Sequence, residues 1–247
     1  MRLAKLLLVT LLLAGCAAGP DGQRAQELLQ QAQAANANVK SATYVATMAF
    51  TGEGQKFQLS MEGGALMKGK RAGDQYLRMR PEGLPAQLGM SGDLMLMVKR
   101  GNRLTLTMGG RTQALPVPSD LSTQTQAWGS LASLDLVSCV KKVDVEEGRN
   151  LNGEPASRIA GTIDTACVVR SLAKLSGLGS LTGSNVDTSK IGHTLGDVRA
   201  TLFVSDRSHL LIGGLISLTA KAEGRTMDIQ FSYRLTSVND PVRFPTL

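Results

Sequence analysis

From residue 42 onward, apolar and polar side chains alternate with a period of two, the pattern of strands with one buried and one wet face. Tyr44, Ala46, Met48 and Phe50 alternate with Thr43, Val45 and Thr47, and Phe57, Leu59 and Met61 alternate with Lys56, Gln58, Ser60 and Glu62. The same beat returns around Leu77 and Met79, and then over 93–100 and 103–108, which flank the hairpin signal Gly101-Asn102. Pro116, Pro118 and Ser119 end this first run. Val143 and Val145 alternate with Lys142, Asp144 and Glu146, and a turn over 148–153 leads into a strand over 156–163. Three more runs follow, from Val198 to Val204, over 211–221, and from Met227 to Leu235, the last being the most regular in the chain. Roughly ten short strands in succession predict a large antiparallel sheet with one apolar face.

Between and before the strands the pattern changes. Residues 23–40 are rich in Ala, Gln and Leu, contain no Gly or Pro, and follow Pro20-Asp21, which predicts a helix. Its apolar stripe (Leu28, Leu29, Ala32, Ala35, Val39) is weak and suited to lying on a sheet. Residues 119–136 mix polar side chains with Leu121, Trp128, Leu131 and Leu134 and predict one or two short helices, and 165–175 predicts another. The stretch 177–192 is rich in Gly, Ser and Thr and reads as a loop. No low-complexity linker divides the sequence, so residues 23–247 are expected to form a single domain.

The N-terminus is a different kind of segment. An apolar run over 6–13, preceded by Arg2 and Lys5, closes on Leu13-Ala14-Gly15-Cys16. It is far shorter than the roughly 20 residues of a spanning helix and reads as a signal peptide. The tetrapeptide resembles the lipobox of bacterial lipoproteins. That resemblance implies cleavage after residue 15, a diacylglyceryl group on the Cys16 thiol, further acylation such as palmitate, and a short tether over 16–22. The protein would then be lipid-anchored on the extracytoplasmic side of the cell membrane. Ala17 in place of Asp would send it to the outer membrane in a double-membrane bacterium. The net charge of +7 includes Arg2 and Lys5, which leave with the signal. The remaining basic residues are dispersed, which argues against nucleic acid and for contact with anionic lipid. Cys139 and Cys167 would remain in an oxidising compartment and are expected to pair, a loop closure worth roughly 3–4 kcal/mol, with two buried free thiols as the alternative.

The order of elements, with Asn152-Gly153-Glu154-Pro155 leading into Arg158-Ile159-Ala160-Gly161-Thr162-Ile163-Asp164, resembles the LolA/LolB-like half-barrel, and most of all the actinobacterial LppX/LprG-type lipoproteins. Phe231-Ser232-Tyr233, followed by Asn239-Asp240-Pro241-Val242 and Pro245, resembles their closing strand and tail. The resemblance implies an α+β fold in which a large curved antiparallel sheet wraps over a few helices. Between them lies a hydrophobic cavity for acyl chains of a lipid, glycolipid, lipoglycan or lipoprotein. It also implies a carrier or chaperone, working as a monomer with an envelope transporter or regulatory protein. An RseB-like envelope sensor and a structural lipoprotein with a collapsed cavity are the alternatives. Inward-facing candidates for the cavity wall, taken from the clearest strands, are Met48, Phe50, Phe57, Leu59, Met61, Leu104, Leu106, Met227, Ile229 and Phe231. Beyond the initiator the chain has as many methionines as aromatic residues, and Met adapts to irregular apolar shapes. The loops over 81–92 and 176–192 are expected to border the entrance.

Catalytic signatures are missing. His193 and His209 do not stand at metal-ligand spacings, Ser171-Leu172-Ala173-Lys174 lacks the companion motifs of penicillin-binding enzymes, and Gly177-Leu178-Gly179-Ser180 is neither a nucleophile elbow nor a dinucleotide fingerprint. Glu146 and Glu147 read as a solvated hairpin end, and Asp206-Arg207 as a polar turn. No cofactor and no enzymatic activity are expected. The lipobox reading predicts that the expressed wild-type chain partitions into detergent and Cys16→Ala into water on detergent phase separation. Equal partitioning of the two would refute lipidation at Cys16.

Overall fold

The structure, a computed structural model, describes residues 19–82, 95–116, 140–164, 195–222 and 225–246. One helix, α1 (Pro20–Asn36), precedes eleven strands: β1 (Ser41–Gly52), β2 (Gln55–Leu66), β3 (Gln75–Glu82), β4 (Met95–Arg100), β5 (Arg103–Met108), β6 (Arg111–Pro116), β7 (Val140–Leu151), β8 (Glu154–Ile163), β9 (Leu195–Ser205), β10 (Leu211–Ala222) and β11 (Arg225–Val238). They form one antiparallel curved sheet in the order β6-β5-β4-β3-β2-β1-β11-β10-β9-β8-β7. Each strand pairs with its sequence neighbour except at the centre, where β1 lies beside β11 and joins two meanders. This is the α+β architecture expected from the sequence. Cys16, Cys139, Cys167 and His193, the segments 119–136 and 165–175, and nearly all of both expected entrance loops lie outside the described residues.

Three boundaries differ from the sequence reading, each for a local reason. Helix α1 starts at Pro20, which fits the first turn because its missing N–H has no intrahelical acceptor there. It stops at Asn36, and the Lys40 amide donates instead to Asn239 Oδ1 at 2.7 Å. Strand β7 runs through Gly148 to Leu151, because a register shift between Glu146 and Arg149 lets the glycine sit at φ +69° inside the strand. The turn is only Asn152-Gly153. Strand β6 was not anticipated, since Arg111-Thr112-Gln113-Ala114 is polar and exposed and only Leu115 shows an inward preference.

Period two assigns the sheet its faces. On the inner face, Ala25, Leu28 and Ala32 of α1 pack on Ile159, Val204 and Leu211, with Leu29, Val143, Val145, Leu202 and Tyr233 around them. Arg24 reaches Glu147 at 2.8 Å in an exposed ion pair, and that glutamate is solvated as expected but lies within β7 rather than at the hairpin end. Glu146 is likewise engaged, by Arg149 and Arg158. The helix thus covers the β7–β10 side. The Asp206-Arg207 turn is held by Ser157 Oγ, which donates to Asp206 Oδ1 at 2.7 Å, and by Ser205 Oγ, which accepts from the Arg207 and Ser208 amides.

On the outer face the C-terminal tail folds over β2–β4. Val242 and Phe244 pack against Tyr76, Leu96 and Val98. Phe244 meets Tyr76 edge-on at 5.9 Å and lies beneath the guanidinium groups of Arg71 and Arg100, 5.0 and 5.7 Å from the ring centre. Asn239 N donates to Ser41 O, and Ser41 Oγ donates to Asp240 O, which ties the tail to the start of β1. Phe244→Ala should therefore lower the unfolding free energy by about 2 kcal/mol, less than for a fully enclosed ring, in urea titrations. An unchanged midpoint would show that the tail does not hold the sheet.

Candidate functional site

Because α1 lies over β7–β10, the inner face of β1–β6 has no described helix on it. Pairing registers show what that face carries. Tyr233 on β11 stands beside Ala46, which stands beside Met61. Met61 pairs with Met79, Met79 with Met95, and Met95 with Met108 on β5. One lane of four methionines therefore crosses four adjacent strands. Its outer end is open, with Met108 47% exposed, and its inner end is closed, with Met61 8% exposed. Counted from Tyr233 to Met108, five inter-strand steps of about 4.8 Å make the lane roughly 24 Å long.

At the inner end lies a hollow of about 90 Å³ between the end of α1 and strands β1, β2, β3, β10 and β11. Val39, Ala42, Ala46, Met61, Leu211, Phe231 and Leu235 make it apolar, and its polar lining residues, Asn36, Gln75, Tyr44 and Tyr233, carry no charge at neutral pH. Both tyrosines lie flat on glycines. A Cβ on Gly63 would come within 2.4 Å of the Tyr44 ring and hydroxyl, and one on Gly214 within 2.7 Å of the Tyr233 ring. Glycine is required at both positions for a ring to lie against the backbone.

Burial pushes the Tyr44 hydroxyl up to about 12, with the nearby Tyr76 as a lesser cause, and pushes Tyr233 well above the ordinary tyrosine range. Tyr233 Oη is shut off from water and has no hydrogen-bond partner. At the polar end of the face, buried Lys99 donates from Nζ to Gly73 O at 2.9 Å, and Asp74 accepts from the Gly101 amide and from Arg71 Nε.

Of the ten residues expected inward, Met61 and Phe231 line the hollow. Met48 and Leu59 continue from Phe231 in the next row, and Phe50 and Phe57, stacked at 4.3 Å, follow beside Ile229. Met227 lies at the frayed end of that face, 40% exposed. Leu106 pairs with Met97 and Leu104 with Lys99, beyond the hollow on β5. Tyr44, Tyr233 and Leu235 were in the apolar phase of their strands but were not singled out. The doublets Gly63-Gly64 and Gly213-Gly214 inside strands are the signal that marks the rings, since glycine there indicates close approach.

The outer face of the C-terminal half is the chemical opposite. Its broad, open groove of about 900 Å³ is lined by Thr47, Gln58, Arg199, Ser217, Gln230 and other polar groups, and Thr219 Oγ1 donates to Asp228 Oδ1 at 2.7 Å. It is larger than the inner hollow but offers no continuous apolar wall. Among the described residues there is no cluster of His, Cys, Asp or Glu able to hold a metal ion, and no helix long and apolar enough to cross a membrane. His209 sits exposed in the turn between β9 and β10 at φ +55°.

No protein-family model matches the chain, and no curated protein matches it. Solved structures do. LprF from Mycobacterium bovis superposes over 91% of this chain and 97% of its own with a TM-score of 0.53 at 15% identity. Lipoprotein LppX from Mycobacterium tuberculosis does so over 88% and 98% with a TM-score of 0.49 at 16% identity. A LolA superfamily protein, NE2245 from Nitrosomonas europaea, aligns over 86% and 93% with a TM-score of 0.28 at 10% identity. The likeness to LprF shows that the two chains share a fold.

The tyrosine environments predict an alkaline titration. Tyr44, Tyr76 and Tyr233 are the three tyrosines of the chain, and burial raises each of them. The phenolate absorbance of the native protein should rise at higher pH than that of the guanidinium-unfolded chain, which should titrate near 10. Folded and unfolded states are both protonated below pH 10, so the stability is fully present there. It is lost as pH rises from about 10 towards 12, because the unfolded chain releases its tyrosine protons before the folded one does. Native titration at 10 would contradict the buried placement.

Proposed function

We propose that the chain is a lipid-anchored extracytoplasmic protein that binds acyl chains on the inner face of its sheet and carries or shields them at a membrane surface. The observation that carries this reading is the lane Tyr233–Ala46–Met61–Met79–Met95–Met108, an apolar track ending in a hollow and uncovered by α1. The hollow by itself is small. With about 30 Å³ for a water, and a methylene of similar size, it takes roughly three such groups. A long chain must therefore lie along the lane and place only its end in the hollow. The lane's roughly 24 Å exceeds the ~15 Å that one acyl chain spans in half of a bilayer core. At about 0.8 kcal/mol per methylene, a 16-carbon chain on this face recovers on the order of 12 kcal/mol when covered. That approaches what it loses on leaving the bilayer, so transfer is close to neutral.

Placement fits the same reading. Helix α1 begins at Pro20, four residues beyond Cys16, so an acylated Cys16 would hold it within at most about 14 Å of its anchor. Two or three acyl chains on that cysteine make such an attachment stable. A flexible thioether wall suits guests whose chains bend and differ in length.

Anchor-free protein carrying Cys16→Ala, purified from a bacterial envelope extract and analysed by organic extraction and mass spectrometry, is expected to yield bound acyl lipid. It should also take up a fluorescent palmitoyl probe from vesicles. Ala46→Trp, which plugs the step between Tyr233 and Met61, should reduce uptake about tenfold with an unfolding midpoint near that of the parent. Lipid-free protein that takes up no probe would overturn the proposal.

A further inference from the structure

Basic residues that are dispersed along the chain converge at one end of the sheet. Antiparallel pairing brings the starts of β1, β3 and β5 together with the ends of β2, β4 and β11. The amides of Met67 and Lys68 donate to Lys40 O, the Gly101 amide donates to Asp74 Oδ1, and Phe244 lies beneath Arg71 and Arg100. The β2–β3 turn, the β4–β5 turn and the tail thus form one continuous edge. Lys40, Lys68, Lys70, Arg71, Arg103 and Arg243 are exposed on it. Arg71 meets the buried Asp74, and Asp240 is the one exposed carboxylate among the described residues of these segments.

Stability does not call for such an edge. Elsewhere Arg24, Arg78, Arg149, Arg158 and Arg225 each reach a carboxylate, whereas Lys40, Lys68, Lys70, Arg103 and Arg243 form no ion pair with another described residue. Like charges gathered this way repel one another, and an anionic surface laid against them relieves the repulsion. The hollow reaches the same edge. Asn36, Val39, Met67 and Gln75 line it there, and the exposed Lys40 and Lys68 directly follow Val39 and Met67. The start of α1 points the same way: Arg24 pairs with Glu147, four residues before β7 ends at Leu151. Pairing through β8, β9, β10 and β11 puts that end of β7 at the same end of the sheet as the start of β1.

Resting on the carrier reading above, we propose that this edge docks on the anionic headgroup surface of a bilayer, with Lys40, Lys68 and Lys70 against the lipid phosphates, and turns the Val39–Met67 end of the hollow towards the membrane. A lipid anchor fixes distance but not orientation, and the basic edge supplies the orientation. Each lysine at an anionic surface strengthens binding by about fivefold. The attraction reaches only about 10 Å at 0.1 M salt, so it acts on contact and salt releases it. Lysine, a point charge on a flexible stem, suits a layer of mobile headgroups. The adjoining apolar hollow favours a lipid surface over an acidic protein, which brings no hydrocarbon to it.

The test measures flotation of the anchor-free protein carrying Cys16→Ala with vesicles of phosphatidylcholine alone and of an equal mixture of phosphatidylcholine and phosphatidylglycerol. The parent should bind the mixed vesicles at least tenfold more tightly than the neutral ones in low salt and lose that difference in molar salt. Lys40→Gln, Lys68→Gln and Lys70→Gln together should weaken binding to mixed vesicles at least tenfold. Lys56→Gln, Arg199→Gln and Lys221→Gln on the outer groove, an equal change in net charge, should alter it less than threefold. Both triple variants should take up the fluorescent palmitoyl probe from neutral vesicles as the parent does, and only the parent and the groove variant should take it up faster from mixed ones. Equal binding of the parent to both kinds of vesicle, or an equal loss in the two variants, would overturn the docking while leaving the carrier reading intact. So would retention on an acidic polypeptide but not on vesicles, or uptake no faster from mixed vesicles. Edge-dependent binding without uptake from any vesicle would remove the carrier reading and leave the docking alone standing.

Discussion

A helix of 17 residues is about 25 Å long and 10 Å wide, while eleven paired strands spread over nearly 50 Å. Among the described residues that mismatch shapes the inner face of the sheet. Each strand must place every second side chain on the inner face, and those positions are mostly apolar from β1 to β5 and from β8 to β11, with Gln75, Lys99 and Ser157 as exceptions. The helix satisfies the β7–β10 half through Ala25, Leu28 and Ala32, and among the described residues no second helix packs on the remainder. The apolar surplus comes from the arithmetic of period two and not from any special motif.

The two glycine doublets show how the surplus is shaped. Gly63 and Gly214 take the weight of Tyr44 and Tyr233 on the inner face, while Gly64 and Gly213 admit Tyr76 with Val242, and Leu151, on the outer face. Removing four side chains from strand interiors weakens the strands locally. The gain is a pair of rings pressed against the backbone, leaving a depression where full side chains would have met. The tail braces the opposite surface, with Phe244 under Arg71 and Arg100, so the strands that bear the open lane are supported from behind.

Strand alternation was legible because it is a local signal repeated many times, and it placed Met48, Phe50, Phe57, Leu59, Met61, Leu104, Leu106, Met227, Ile229 and Phe231 on a common face before any register was known. What lies across strands was not legible. That Met61, Met79, Met95 and Met108 are neighbours depends on three hairpin registers, and a slip of one residue in any of them would send a methionine to the other side. Strand β6 was invisible because an edge strand facing water needs little apolar character. The return of the tail to the outer face rests on contacts between residues more than 140 positions apart, such as Arg100 with Phe244, which no window of sequence contains.

The composition of the lane bears on how such a surface meets water. A row of Phe or Leu with this exposure would be a template for association, and rigid side chains would keep one contour whether occupied or not. Thioether side chains turn about three bonds and can close over one another when nothing lies on them, then spread beneath a guest. The gradient from Met61, nearly enclosed, to Met108, half open, fits that behaviour: the inner end is held by the hollow's walls, and the outer end ends on β5 beside the polar edge strand β6. Arg111, directly across from Met108, places a charge where the track meets water. A surface of this kind resists pairing with another sheet at its edge.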